Sequence, residues 1–309
     1  MSPELQLHYS EKFLATPRRN LIYSIGVDEH DPENHMGQNT RMRRYERLST
    51  DGGELDGSGL DPAPEIVQFT DVDAKMEHFA KVLVVNDQVT MYQNDRVLNK
   101  FTLLLGQWLV EKEDRLMKEV HEGASSFVNA TGGLNGDNPT EPTGDDLDDI
   151  EVALLGQDAK TILDSVQATD QFSTSGNMDS FVALCSTDLV KDLRQIEDFK
   201  VRSNFAGDKD NFRKEEYGFY GRFTFFVSSG GSVVPNASNN GSNVYNITCK
   251  GMESVAKLEN NLDTARVIYR DPYVVSTVEQ NATLAGRFSL ARAISNQAWI
   301  INLRCTKSA

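Results

Sequence analysis

VLNKFTLLLGQWLVEKEDRLMKEVHEGAS (97–125) decides how the rest of the chain is read. Val97, Phe101, Leu104, Leu105, Trp108, Leu109, Leu116 and Val120 recur at spacings of three and four, the period of a helix with one apolar face. The pattern predicts a helix over 92–122, capped by Asn94 or Asp95 and stopped by Gly123. At 1.5 Å per residue it would run ~46 Å. A compact globule of this chain length is about 50 Å across, so such a helix would cross the whole body as a spine.

Upstream, TRMRRYERL (40–48) and the stretch 65–85 read as two strand-like flanks. Between them, DGGELDGSGLDPAP (51–64) supplies Gly, Asp and Pro, the chemistry of turns. The expectation is a long β-hairpin projecting roughly 30 Å. Its flanks are too polar to make a two-sided core, and an isolated hairpin is marginal in water, so another surface must hold it. Residues 1–37 read as an arm rather than a core element. Leu5, Leu7, Tyr9, Phe13 and Leu14 are local apolar anchors, Pro17-Arg18-Arg19 breaks the pattern, and Asp28 to Asn34 is polar. A neighbouring subunit is the natural surface for such an arm.

Downstream, Thr131 to Gly144 is a loop, and a second helix is expected from Asp145, its acidic first turn complementing the helix dipole, with an apolar face reaching Ile162 and Leu163. Phe181 to Cys185 reads as a buried strand followed by a short capped helix ending near Ile196. Phe219 to Val227 reads as one strand and 229–243 as a polar loop. Tyr245 to Glu259 and Thr264 to Tyr269 are further strand candidates, and the alternation of Phe288, Leu290, Ala298, Ile300, Ile301 and Leu303 predicts returning strands.

The chemistry of catalysis is missing from this pattern. The 309 residues contain no Walker loop, GxGxxG, HExxH, GxSxG or kinase signature. His30 and His35 flank Asp31 and Glu33, either a divalent-metal cluster or a solvated turn. The acids at 145, 146, 148 and 149 lack the spacing and central Gly of a calcium loop. Cys185, Cys249 and Cys305 stand singly, as buried free thiols of a reduced compartment do. Five Asn-x-Ser/Thr triplets carry no weight without a secretory signal, and no apolar run approaches the ~20 residues of a membrane span. A net charge of −15 disfavours gripping a phosphate backbone, though it permits a wall that encloses nucleic acid without sequence-specific binding. No cofactor is expected.

The arginines at 41, 43, 44 and 47 admit three readings. They are cations for inter-subunit ion pairs, a solvated edge that protects a strand, or a nucleic-acid patch, an odd island on so acidic a chain. The inter-subunit contact candidates are Arg41, Arg43, Arg44 and Arg47 on the hairpin, Glu54 and Asp56 at its tip, and Tyr9, Phe13, Arg18 and Arg19 on the arm.

Arm, long hairpin, spine helix, mixed α/β body and returning strands, in that order, resemble the tailed-bacteriophage major capsid proteins of the Hong-Kong-97 fold, nearest to the coat proteins of N-four-like podophages. The stretches that carry the resemblance are 41–87, 97–125, FVALCSTDLVKDLRQIEDFKV (181–201), EEYGFYGRFTFFVSS (215–229) and 271–305. The resemblance implies an α+β capsid fold divided into an N-terminal arm (1–37), an extended loop (38–75), a peripheral domain with the spine helix (76–130), an axial domain (131–262) and peripheral return strands (263–309). It implies a virion protein, made in the bacterial cytoplasm, that assembles with itself as hexamers and pentamers into an icosahedral shell around double-stranded DNA. Portal, scaffolding and decoration proteins are the further partners it implies. Some relatives cross-link through a lysine of the extended loop; residues 37–64 hold none, so no such bond is expected. Some carry a helical scaffolding segment before the arm, which this sequence lacks, so a separate scaffolding protein is expected. An encapsulin-like compartment shell uses the same fold and is one alternative. An acidic cytosolic metal-dependent enzyme with a site of scattered carboxylates such as Asp188, Glu215 and Glu216 is the other.

Overall fold

The structure is a computed structural model that describes residues 19–30, 38–50, 64–86, 97–161, 180–201, 216–259, 266–270 and 281–308. Its strands are β1 (Asp28–His30), β2 (Asn39–Tyr45), β3 (Phe69–Lys75), β4 (Glu77–Asn86), β5 (Phe127–Asn129), β6 (Phe181–Ser186), β7 (Lys200–Val201) and β8 (Glu216–Tyr220). They continue as β9 (Phe223–Ser228), β10 (Val233–Val234), β11 (Val244–Lys250), β12 (Val255–Glu259), β13 (Arg266–Arg270), β14 (Asn281–Ile294) and β15 (Ile300–Cys305). The described helices are α1 (Val97–Glu122), α2 (Gly144–Gly156) and the single turn α3 (Val190–Leu193).

The 26 residues of α1 run ~39 Å. Its buried stripe is Leu105, Leu109, Leu116 and Met117, the face that the spacing predicts. Gly123 closes it, donating its N–H to the Glu119 and Val120 carbonyls at 3.2 and 3.1 Å. The expected caps at 94 and 95 lie outside the described residues.

Two sheets pack around this helix. In the five-stranded sheet the central strand is β14, the longest at 14 residues. β4 runs antiparallel along one edge of it, from Asn86 opposite Asn281 to Glu77 opposite Leu290. Along the other edge β13 pairs with 283–287 and β12 with 290–294. β1 adds parallel to β12. The eight-stranded sheet has the order β5-β15-β11-β6-β9-β8-β7, with β10 also pairing β11. β6 and β9 are parallel. A parallel strand covered on both faces is apolar throughout, and FVALCS (181–186) is buried at every position. Phe181, Ala183 and Cys185 face α2, through Leu147, Ile150 and Leu154. Val182 and Leu184 face the other way, into the cluster with Leu116 and Met117 of α1.

Several expectations need correction. Residues 1–37 do not all behave as an arm outside the core: Ile22 and Tyr23 are fully buried beside Leu116, Met117 and Val182. Tyr23 N–H donates to the buried Asp114 carboxylate at 2.8 Å, a partner that the sequence pattern did not offer. Phe219 to Val227 is not one strand but the hairpin β8–β9, turning at Gly221 with φ +52°. The stretch 245–259 is likewise two strands, β11 and β12, in different sheets. The second helix ends at Gly156, and Ala159 lies beyond it; Ile162 and Leu163 lie outside the described residues. The 229–243 loop contains the short β10. Residues 263–309 divide between the sheets: β13 and β14 stay with β4, while β15 pairs along its whole length with β11. The capped helix after β6 is a 3-10 turn over 187–189 followed by α3, and Ser186 Oγ accepts the Asp188 N–H.

Candidate assembly surfaces

The arginine cluster sits on β2, and the register decides what it does. β2 and β3 form their own two-stranded sheet, with Arg41 opposite Asp73, Arg43 opposite Asp71 and Tyr45 opposite Phe69. Alternation puts these six residues on one face of the hairpin. Arg41 donates to Asp73 through Nε and Nη2 at 2.7 and 2.9 Å, and Arg43 makes the same fork on Asp71 at the same distances. Hydrogen bonds from the two guanidiniums hold both carboxyls below the usual carboxylate range. Arg43 also lies over the Phe69 ring, 4.0 Å from its centre.

The opposite face holds the hairpin to the body. Ala74 and Met76 are buried with Leu258 and Ala291, and Met42 packs beside them. Arg44 donates to the Ser295 carbonyl at 3.0 Å and pairs with Glu46; Arg47 pairs with Asp158 at 2.9 Å. The four arginines are thus engaged within their own subunit. The hairpin also leaves apolar side chains open: Tyr45 is 67 % exposed, Ile66 78 % and Phe69 51 %, and Leu48 and Val67 are exposed as well. Sequence reasoning passed over Asp71, Asp73 and this apolar group. The signal was available, because in FTDVDAK (69–75) the aromatic and both acids share one parity, as do Arg41, Arg43 and Tyr45 across the hairpin.

Further apolar surface is uncovered on the five-stranded sheet, where Val82 and Val84 of β4 point away from α1 and are exposed. The far side of α1 exposes Leu103 and Val110, and Leu104, which the spacing put on the apolar face, is itself 43 % exposed beside Lys81 and Leu83 of β4. On the other side of the molecule, Val152 and Leu155 stand out on α2.

Arg19, the one described residue of the arm candidates, lines a cleft of ≈460 Å3 between α1 and the turn at 228–231. Lys112, Arg115 and Lys118 of α1 share that cleft. Tyr9, Phe13, Arg18, Glu54 and Asp56 lie outside the described residues, as do His35 and Glu215. His30 pairs with Asp28 at 2.7 Å, and among the described residues no group of three or more metal-ligating side chains could hold an ion. No described helix is long and apolar enough to cross a membrane.

A family described as phage capsid protein matches residues 70–293, most of the chain. The sequence matches no curated protein. Among solved structures, the capsid of Ralstonia phage GP4 superposes with a TM-score of 0.77 at 11 % identity, over 99 % of this chain and 96 % of that one. The capsid of cyanophage P-SCSP1u gives 0.66 at 11 % identity, over 99 % and 94 %. The head of Helicobacter pylori bacteriophage KHP40 gives 0.63 at 10 % identity, over 99 % and 96 %. The α+β fold is therefore the capsid fold that the element order implied, and the acidic-enzyme alternative falls. The chain belongs to the phage capsid protein family: it is a structural component of the virion and not an enzyme.

Proposed function

We propose that this chain is the major shell subunit of its head, assembling as hexamers and pentamers around double-stranded DNA, with the β2–β3 hairpin and the arm lying on neighbouring copies. The observation that carries the reading is the cross-strand pair Tyr45 and Phe69, both more than half exposed, with Ile66 exposed on the same hairpin. A capsid subunit acts by contact, and aromatic residues left exposed at the end of a hairpin supply anchors for a neighbour's surface. The cross-strand arginine forks support it differently: they brace the pairing of β2 with β3 at 41–43 and 71–73. Many modest contacts of this kind, closed by symmetry, hold a shell together without covalent links. The net charge of −15 suits a wall that encloses DNA without reading it. A separate scaffolding protein, a portal and a decoration protein are the partners this reading requires or accommodates.

The test is electron microscopy and size-exclusion of the purified protein, alone and with the candidate scaffolding protein. Closed shells, rings or sheets are the expected products. A 34.4 kDa monomer under both conditions would overturn the proposal. A Tyr45→Ala/Phe69→Ala variant, folded but slow to assemble, would assign the contact to the hairpin.

A further inference from the structure

We infer that the cleft between α1 and the 228–231 turn binds a compact phosphate-bearing anion, free or as a short run of nucleic-acid backbone, which ties residues 19–23 to the helix. This goes beyond the shell reading and does not depend on it.

The two sides of the cleft bring cations together. Along α1, Lys112, Arg115 and Lys118 stand three residues apart and span ~9 Å. Like charges at that spacing repel one another. Arg19 enters the same cleft from the side of the turn, its Cδ 4.0 Å from where a methyl on Gly230 would stand. The next residue anchors it: Asn20 donates to the Val227 carbonyl at 3.4 Å, and its own carbonyl accepts the Ser228 hydroxyl. Among the described residues Arg19 has no acidic partner.

The acids nearby do not balance this charge. Only Glu111 and Asp114 line the cleft. Asp114 is already used, accepting the Tyr23 N–H at 2.8 Å. Glu111 stands toward Trp108 and also borders the groove beside Lys81. Arg115 and Lys118 reach Glu119 and Glu122 of their own helix at 3.6 and 4.0 Å, longer than the ~2.7–2.9 Å of a close ion pair.

Four cations in so short a space call for a dense anion. A phosphate group carries up to about two charges and three acceptor oxygens where a carboxylate carries one charge. Guanidinium forks fit phosphate oxygens, and lysines add point charge. Ser229 adds an exposed hydroxyl at the rim, and Leu21 and Trp108 supply an apolar wall that a nucleotide's base can cover. A volume of ≈460 Å3 lies within the ~300–1,000 Å3 of small-molecule sites. The net charge of −15 opposes such a ligand only weakly, since exposed charges beyond ~8 Å are largely screened at physiological salt.

Binding to the unassembled subunit tests this, whether or not shells form. Calorimetric titration at constant ionic strength, with sodium tripolyphosphate, magnesium-free ATP or a single-stranded oligothymidylate, should show one saturable site for at least one probe. Arg19→Ala/Arg115→Ala and Lys112→Ala/Lys118→Ala each remove two cations, and each should weaken binding at least tenfold. Arg41→Ala/Arg43→Ala takes the same charge from the hairpin and should bind as wild type does. The bound probe should also slow amide exchange in residues 19–23 of the wild type. Tighter binding of tripolyphosphate or ATP than of oligothymidylate would assign a free anion as the source, and the reverse order nucleic-acid backbone. Absence of saturable binding by any probe, an equal loss in the hairpin variant, or unchanged exchange at 19–23 would overturn the inference.

Discussion

Lys250 Nζ lies 2.9 Å from His121 Nε2, and both side chains are fully buried where α1 ends between the two sheets. His121 Nδ1 sits 2.7 Å from the Met117 carbonyl and must donate to it, which leaves Nε2 to accept from the lysine. Asn302 donates to the His121 carbonyl at 3.0 Å and accepts from Thr248 at 2.8 Å. Strands β11 and β15 are thereby tied to the last turn of the spine helix by side chains as well as by packing. Among the described residues no carboxylate pairs with Lys250. Burial pushes its amine down to about 7, and burial followed by the nearby lysine holds His121 well below the ordinary imidazole range.

The sign of the pH dependence follows. Above pH 7 the unfolded chain keeps the Lys250 proton that the folded chain releases, so stability rises with pH at up to about 1.4 kcal/mol per unit. Below about 6.5 the unfolded His121 takes a proton that the folded one refuses, and stability falls. Asp114, raised by burial to about 6, pulls the opposite way between there and the ordinary Asp range. The three thiols, held protonated by burial, pull the opposite way at alkaline pH. The clean window is pH 7 to 8.5. Melting of the unassembled subunit should move up across it, and Lys250→Met should flatten that rise. A wild-type midpoint that does not change between pH 7 and 8.5 would contradict the assignment.

Lys257 is the opposite kind of buried lysine. Its Nζ lies 2.6 Å from Glu113, 2.7 Å from Glu259 and 3.3 Å from Glu29. Burial works against its charge, but the hydrogen bonds to Glu113 and Glu259 outweigh it and raise the amine above the ordinary lysine range. Glu29 belongs to β1, so this one cation ties the first described strand to β12 and α1. Lys257→Met leaves three carboxylates facing one another. Because Glu29 and Glu259 are half exposed or more, the cost is set below that of a fully buried pair, at about 1–3 kcal/mol. Amide exchange in residues 28–30 should accelerate more than in β14. Equal protection of 28–30 in both proteins would show that backbone pairing alone holds β1.

What could be read from the sequence was local, and what could not depended on register. The α1 stripe is a period that neighbouring residues display by themselves, so Leu105, Leu109 and Leu116 were assignable before any fold was known. The arginines were visible too, but their role hangs on which residue of 69–75 faces Arg43, and a hairpin with a long tip does not announce its register. Phe219 to Val227 read as one strand because apolar residues flank Gly221 on both sides and hide the turn. That β14 and β15 part into different sheets is set by partners some fifty to two hundred residues away, Lys250 opposite Ile300 and Phe79 opposite Phe288, which no local window contains. Ile22 and Tyr23 were assigned to the arm for the same reason: their burial is supplied by α1 and β6, not by their neighbours in sequence.

Thr143 caps α2 with a reciprocal pair. Its hydroxyl accepts the Asp146 N–H at 3.3 Å, and the Asp146 carboxylate accepts the Thr143 N–H at 3.1 Å. Thr143→Ala should lower subunit stability by about 1 kcal/mol, and Thr143→Ser should recover most of it. Denaturant midpoints measure both. Equal losses for Ala and Ser would mean that the threonine methyl, not the cap, is what matters.

Gly231 and Gly156 separate a steric requirement from a conformational one. A methyl at 231 would stand 2.4 Å from Ser186 Cα and 2.7 Å from its backbone nitrogen, and that backbone cannot retreat. Ser186 is fixed by its parallel pairing with Ser228 and by the cap it gives Asp188. The turn would have to move off the sheet instead, opening the wall of the basic cleft, at a cost of about 3 kcal/mol or more. Gly156, at the end of α2, has no atom within 4 Å of where a methyl would go, and its backbone is not left-handed. There Gly→Ala adds helix propensity, a gain of up to about 1 kcal/mol. Melting should therefore shift in opposite directions for the two variants. A Gly231→Ala protein as stable as wild type would mean that the 228–231 turn packs less closely on β6 than the structure has it.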